Sequence, residues 1–181
     1  MNNIRLVFKG VSEILGGEEL SLLILTDVLE SRQIGIVCDP YTQQQFCMRL
    51  GNRQQSAKLL PEVLSAILRR REEESYEIHI TDIVNGQYTA LIRDRFSNFS
   101  MPVNVCEGVL LAFVSDIPLF IDSHLMMRQS IPYAPNSQRL SIPVNSISDS
   151  MLQHAMERAV EEENYELASH LRDEINRRRS S

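Results

Sequence analysis

The sequence predicts an α+β fold: a mixed or antiparallel sheet with packed helices, followed by a short antiparallel helical hairpin. Three observations predict it. Apolar residues alternate along several short segments, most clearly Tyr76, Ile78 and Ile80 against Glu77, His79 and Thr81. Other segments carry apolar residues at helical spacing, the first being Leu60, Val63, Leu64, Ile67 and Leu68. A polar stretch holding Pro132, Pro135 and Pro143 separates these from a last helical pair. The chain of 181 residues therefore divides into a domain over 1–130, a linker over 131–146 and a hairpin over 147–181.

The elements follow in order. Residues 3–9 read as a strand, with Ile4, Leu6 and Phe8 on one face. Residues 20–28 form a second apolar run, and residues 32–38 its hairpin partner. Asp39-Pro40 starts a helix over residues 41–50, ended by Gly51-Asn52. Pro61 suits the first turn of the helix over residues 60–68, where a missing N–H costs nothing. Asn85-Gly86 supplies the positive φ angles of a tight hairpin turn between residues 76 and 93. Residues 101–105 make a short strand, residues 105–114 a buried helix and residues 117–121 a buried strand. Asp122 caps a last helix over residues 123–129.

Composition excludes several function classes. The formal net charge is −6, and neither the domain nor the tail has the basic balance that phosphate backbones favour. Arg69-Arg70-Arg71 runs directly into Glu72-Glu73-Glu74 and reads as a solvated helix end. A nucleic-acid partner is thus possible but unsupported by charge. Cys38, Cys47 and Cys106 show no Cys-x-x-Cys spacing, which fits free thiols in a reducing, cytoplasmic setting. No apolar run reaches membrane-spanning length. His79, His124, His154 and His170 have no second histidine at ligand spacing and read as surface residues.

The C-terminal segment carries two apolar stripes. Leu152, Ala155, Met156, Ala159 and Val160 form one, and Leu167, Ala168, Leu171 and Ile175 the other, around a polar turn at Glu161–Asn164. A hairpin this small has little core of its own and is expected to bury its stripes against a copy of itself, the domain or a partner. Asn164-Tyr165-Glu166-Leu167-Ala168 followed by Leu171-Arg172-Asp173-Glu174-Ile175 resembles the UVR motif of bacterial excision-repair proteins. The resemblance implies a protein–protein docking device, with Leu152, Met156, Val160, Tyr165, Leu167, Leu171, Arg172 and Ile175 as its contact residues. A homo-oligomer or a foreign protein partner is expected through it.

Residues 20–127 in turn resemble the bacterial bifunctional nuclease family. The likeness rests on Ile78-His79-Ile80-Thr81-Asp82-Ile83, then Gly86-Gln87-Tyr88-Thr89-Ala90-Leu91, and an apolar helix leading into Ile117-Pro118-Leu119-Phe120-Ile121. It implies cleavage of DNA and RNA. The family's charged segment entering the apolar helix is replaced here by Pro102-Val103-Asn104-Val105-Cys106-Glu107-Gly108, in which only Glu107 is acidic. Gln43-Gln44-Gln45 and Ala57–Pro61 likewise lack the family's charges, Lys58 excepted. Phosphodiester hydrolysis calls for carboxylates holding Mg²⁺ or Mn²⁺, or a base beside a cation. Glu107 is the one catalytic candidate. It reads either as a remnant ligand or as an acid placed at a helix start by the dipole. Two functions stay open: a nuclease of weak or lost activity, for which Mg²⁺ or Mn²⁺ would be the cofactor, and a non-catalytic interaction or regulatory scaffold.

Overall fold

The computed structural model describes residues 3–13, 21–70, 75–133 and 147–179. Its elements are β1 (Asn3–Glu13), β2 (Ser21–Asp27), β3 (Arg32–Cys38), α1 (Pro40–Gly51), α2 (Leu60–Leu68), β4 (Tyr76–Val84), β5 (Gln87–Asp94), β6 (Ser100–Asn104), α3 (Val105–Ser115), β7 (Leu119–Asp122), α4 (Ser123–Gln129) and β8 (Ile131–Pro132), then α5 (Asp149–Glu161) and α6 (Tyr165–Arg179). The architecture is α+β with a C-terminal helical hairpin, as the sequence predicts.

One eight-stranded sheet runs in the order β6-β5-β4-β7-β1-β2-β3-β8. Every pairing is antiparallel except β4 with β7, which sets Ile78 beside Leu119 and Ile80 beside Ile121. The two edge strands each carry a proline, Pro102 in β6 and Pro132 in β8. Proline removes a ladder donor, so it suits an edge and discourages pairing with another chain. β8 lies inside the segment whose composition reads as linker, and it pairs Ile131 and Pro132 with Gln33 and Arg32. Arg32 secures it by donating from Nε to Ser130 Oγ at 2.5 Å and from Nη2 to the Ser130 carbonyl at 2.7 Å.

Helix α3 is the centre of the core. Val105, Cys106, Val109, Leu110 and Leu111 are buried on it, among Leu23, Leu25, Ile34, Ile36, Phe46, Ile78, Ile80 and Ile121. Gly108 lets the helix approach the sheet closely: a Cβ there would stand 3.3 Å from both Ile78 and Val103. Phe8, Phe46 and Phe113 form an aromatic cluster that fastens α1 and α3 to β1, with ring centroids 4.8–6.1 Å apart. Helices α1 and α4 are capped at the starts that the sequence suggests. Asp39 Oδ1 accepts from the Thr42 amide at 2.7 Å, and Asp122 Oδ1 accepts from His124 and Leu125.

Helix α2 stands where its periodicity places it but is turned around. Its apolar stripe faces solvent, with Leu60 77%, Val63 43%, Leu64 37% and Ile67 59% exposed, while Ser65 is the residue it buries. Polar bonds hold the inward side. Arg49, buried on α1, grips Glu62 through two parallel bonds, Nε to Oε1 at 2.7 Å and Nη2 to Oε2 at 2.8 Å. Arg69 reaches the Val114 carbonyl at 3.3 Å and Asp116 at 3.0 Å.

His79 also departs from its reading as a surface residue. It is buried, because Phe120 of β7 stacks on it with ring centroids 5.2 Å apart. Asn3 Nδ2 donates to its Nδ1 at 3.3 Å, and its Nε2–H donates to Glu77 Oε2 at 3.0 Å. His124, His154 and His170 are exposed as expected.

Candidate functional site

A cleft of about 470 Å³ opens where three parts of the domain end together. They are the β3–α1 junction with Cys38, Asp39 and Pro40, the β4–β5 turn with Gly86, Gln87 and Tyr88, and the α3 start with Asn104, Val105 and Cys106. Ser148, Ser150, Met151 and His154 of the hairpin complete the wall. The convergence follows from local sequence. Asp39 and Asn104 are N-caps, so α1 and α3 both begin at the cleft, Asn104 Oδ1 accepting from the Cys106 amide at 2.9 Å. Asn85 and Gly86 hold φ angles of 50° and 76°, the turn conformation that asparagine and glycine tolerate. Gly86 has a second reason to lack a side chain: a Cβ would stand 2.1 Å from the Ile147 carbonyl oxygen. The hairpin thus rests on the β4–β5 turn.

The two thiols of the cleft are held neutral. Burial pushes the Cys38 thiol up to about 11, helped by the Asp39 carboxylate. Burial, then Cys38, Asp39 and Glu107, pushes Cys106 up to about 12. Both are protonated and poor nucleophiles at neutral pH. Burial raises the Tyr88 phenol as well, and its hydroxyl has no hydrogen-bond partner among the described residues. His154 is exposed and lies 3.8 Å from Glu157.

Glu107 does not line this cleft. It is exposed in the first turn of α3, where its amide donates to Asn104 Oδ1 at 3.4 Å. Among the described residues, no three His, Cys, Asp or Glu side chains gather so as to hold a metal ion. The donors present therefore do not fit Mg²⁺ or Mn²⁺, which ask for several oxygen ligands at short range. His79 lies under Phe120 with both ring nitrogens hydrogen-bonded, to Asn3 and to Glu77, and it does not line this cleft.

The hairpin sorts its residues into two sets. Leu152, Ala159, Ala168, Leu171 and Ile175 are buried in its own small core, with Met156 packed against them. Val160, Tyr165 and Leu167 are exposed around the closed end. Arg172 is exposed and bonds Asp173 and Ser169. At the open end Arg178 ties the two helices, reaching the Ile147 carbonyl at 2.7 Å and Asp149 at 2.8 Å. Sequence reasoning found both stripes but not which members the hairpin would consume. It also passed over Asn104 as a cap and Cys38, Cys106 and Tyr88 as cleft walls. The Asp39-Pro40 helix start was the available signal for that corner.

Fold and site together define a class, an α+β domain with a cleft at two helix starts and a helical hairpin seated beside it. The bifunctional nuclease domain model matches residues 23–134, and the chain belongs to that family. A second model, the UvrB/uvrC motif, matches residues 152–180. No curated protein sequence matches the chain. No helix among the described residues is long and apolar enough to cross a membrane.

Proposed function

We propose that this chain is a bifunctional-nuclease-type domain with weak or lost hydrolytic activity, serving as a cytoplasmic interaction scaffold whose hairpin docks on other proteins. The observation that carries the reading is the isolation of Glu107. Its carboxylate sits at an exposed helix start, outside the cleft, with no metal-binding cluster among the described residues. The cleft's two cysteines are protonated thiols beside capped helix starts, not activated nucleophiles. The docking role is supported by the UvrB/uvrC match and by Val160, Tyr165 and Leu167 standing exposed at the closed end. Its partner is a second copy or another hairpin-bearing protein. Three free thiols support a reducing compartment.

The test is purified protein with labelled single-stranded DNA and RNA in Mg²⁺ and in Mn²⁺. The expected result is cleavage at background level, unchanged in Glu107→Ala. Robust metal-dependent cleavage that disappears in Glu107→Ala would overturn the scaffold reading. Family membership favours that second reading, a working nuclease.

A further inference from the structure

The hairpin and the domain touch without sharing a core. Leu152, Ala159, Ala168, Leu171 and Ile175 close one apolar cluster, with Ile147, Ala155 and Met156 packed against it. None of these belongs to the cluster around α3. A unit that buries its own apolar residues and lends none to its neighbour can move away without opening either core. Where the two meet, the approach is backbone on backbone. The Ile147 carbonyl lies over the β4–β5 turn, and a Cβ on Gly86 would come within 2.1 Å of its oxygen. Gly86 is buried beneath it.

Arg178 builds this seat. Its side chain is 8% exposed although it stands in the last turn of α6. Nη1 donates to the Ile147 carbonyl at 2.7 Å and to Asp149 at 2.8 Å, and Nε donates to Glu174 at 3.0 Å. The same Nη1 lies 2.8 Å from where a Gly86 Cβ would stand. The guanidinium therefore fixes the carbonyl that covers the turn, and α5 starts from that point. Its cap and first two turns supply Ser148, Ser150, Met151 and His154 to the cleft that Cys38, Cys106 and Tyr88 also line. Val160, at the closed end, is about 20 Å further along α5 at 1.5 Å per residue, clear of the seat. We propose that the hairpin is a releasable wall of the cleft. Seated, with Gly86 under the Ile147 carbonyl, it screens the corner that holds Cys38 and Cys106. Released, it opens that corner while domain and hairpin both stay folded. The device is independent of whether the domain cleaves nucleic acid and of what the closed end binds.

Spin labels on the exposed Cys47 and on a Glu161→Cys change in the full-length chain report the distance between α1 and the hairpin, Cys38 and Cys106 being buried. Pulsed electron spin resonance of this otherwise unaltered chain should give one narrow distance. Gly86→Asn keeps a residue type that tolerates positive φ, as Asn85 does beside it, but puts a Cβ under Ile147. Arg178→Met leaves the domain untouched and frees the Ile147 carbonyl. Each should at least double the width of the distance distribution and keep the domain's circular dichroism. In the same two variants, Cys106 should be alkylated at least fivefold faster than in the wild type, read by peptide mass spectrometry. Leu167→Glu, at the closed end, should change neither reading. If Gly86→Asn fails to fold, Arg178→Met alone decides. A broad distribution in the wild type overturns the seat, and a narrow one in Arg178→Met overturns the latch. A broadened distance with Cys106 no more reactive overturns the screening of the cleft.

Discussion

Replacing Arg49 by Met removes the cation that holds α2 to α1 without changing side-chain length much. Arg49 is 2% exposed and makes four hydrogen bonds, two to the Glu62 carboxylate and two to Gln45. The Glu62 side chain is 18% exposed, so it is left as a largely buried charge with no cation. Stranding one partner of such a pair costs about 3–5 kcal/mol, and the lower end applies because Glu62 keeps some access to water. About 3 kcal/mol corresponds to a melting temperature lowered by roughly 6–12 °C for a chain of this size. Urea unfolding followed by far-ultraviolet circular dichroism reads it directly. The pH dependence gives a second check. Burial by itself would raise the Glu62 pKa, but hydrogen bonds from Arg49 and Ser56 hold it below the ordinary carboxylate value. A lowered folded pKa adds stability above the unfolded value of about 4.3, and that stability is lost as pH falls through the folded value. The gap between wild type and Arg49→Met should thus be constant at neutral pH and close below about pH 4. The double variant Arg49→Met with Glu62→Met should be more stable than Arg49→Met alone, since apolar replacement of both partners leaves no stranded charge. A cost under about 1 kcal/mol, or a double variant no better than the single, would refute the claim that this pair anchors α2.

Three further outcomes are expected. Of the three thiols, Cys47 is exposed and should react with a disulfide reagent at pH 8, while Cys38 and Cys106, with pKa values raised to about 11 and about 12, should lag by at least tenfold until denaturant is added. In the hairpin, Leu171→Glu should cost helix signal because Leu171 lies in its core, whereas Leu167→Glu should keep the signal and lose partner capture, read by circular dichroism beside a pull-down. We expect a fragment ending at Tyr133 to melt cooperatively. One ending at Gln129 loses β8 and both Ser130 acceptors of Arg32, and should be weaker by about 1–3 kcal/mol in a urea titration.

Local signals were the legible part of this fold. Asn85-Gly86 between alternating runs marks the β4–β5 turn, and Asp39 and Asp122 mark helix starts, because each acts through its own backbone within a few residues. Orientation against the rest of the chain was not. The spacing of Leu60, Val63, Leu64 and Ile67 fixes that they share a side of α2, but not that Arg49 and Ser65 would claim the other side. Alternation likewise puts His79 opposite Ile78 without revealing that Phe120, far along the chain, covers it. At the candidate site, Glu107 was visible as the one retained acid. Its distance from any other ligand set depends on how α3 lies over the sheet, which no local pattern carries.

Strand β7 holds four residues, Leu119–Asp122, yet among the described residues it is the seam between two half-sheets. β1, β2 and β3 form one antiparallel run and β4, β5 and β6 another. Without β7 the sheet would be two separate runs, each with an unpaired inner edge at β1 or β4. The insertion of β7 closes both edges in one event and brings Ile121, fully buried, into the core beside Ile4 and Ile80. Ile4 pairs with Ile121 across nearly the whole domain, and contacts of such long sequence separation are the kind that topology makes slow to form.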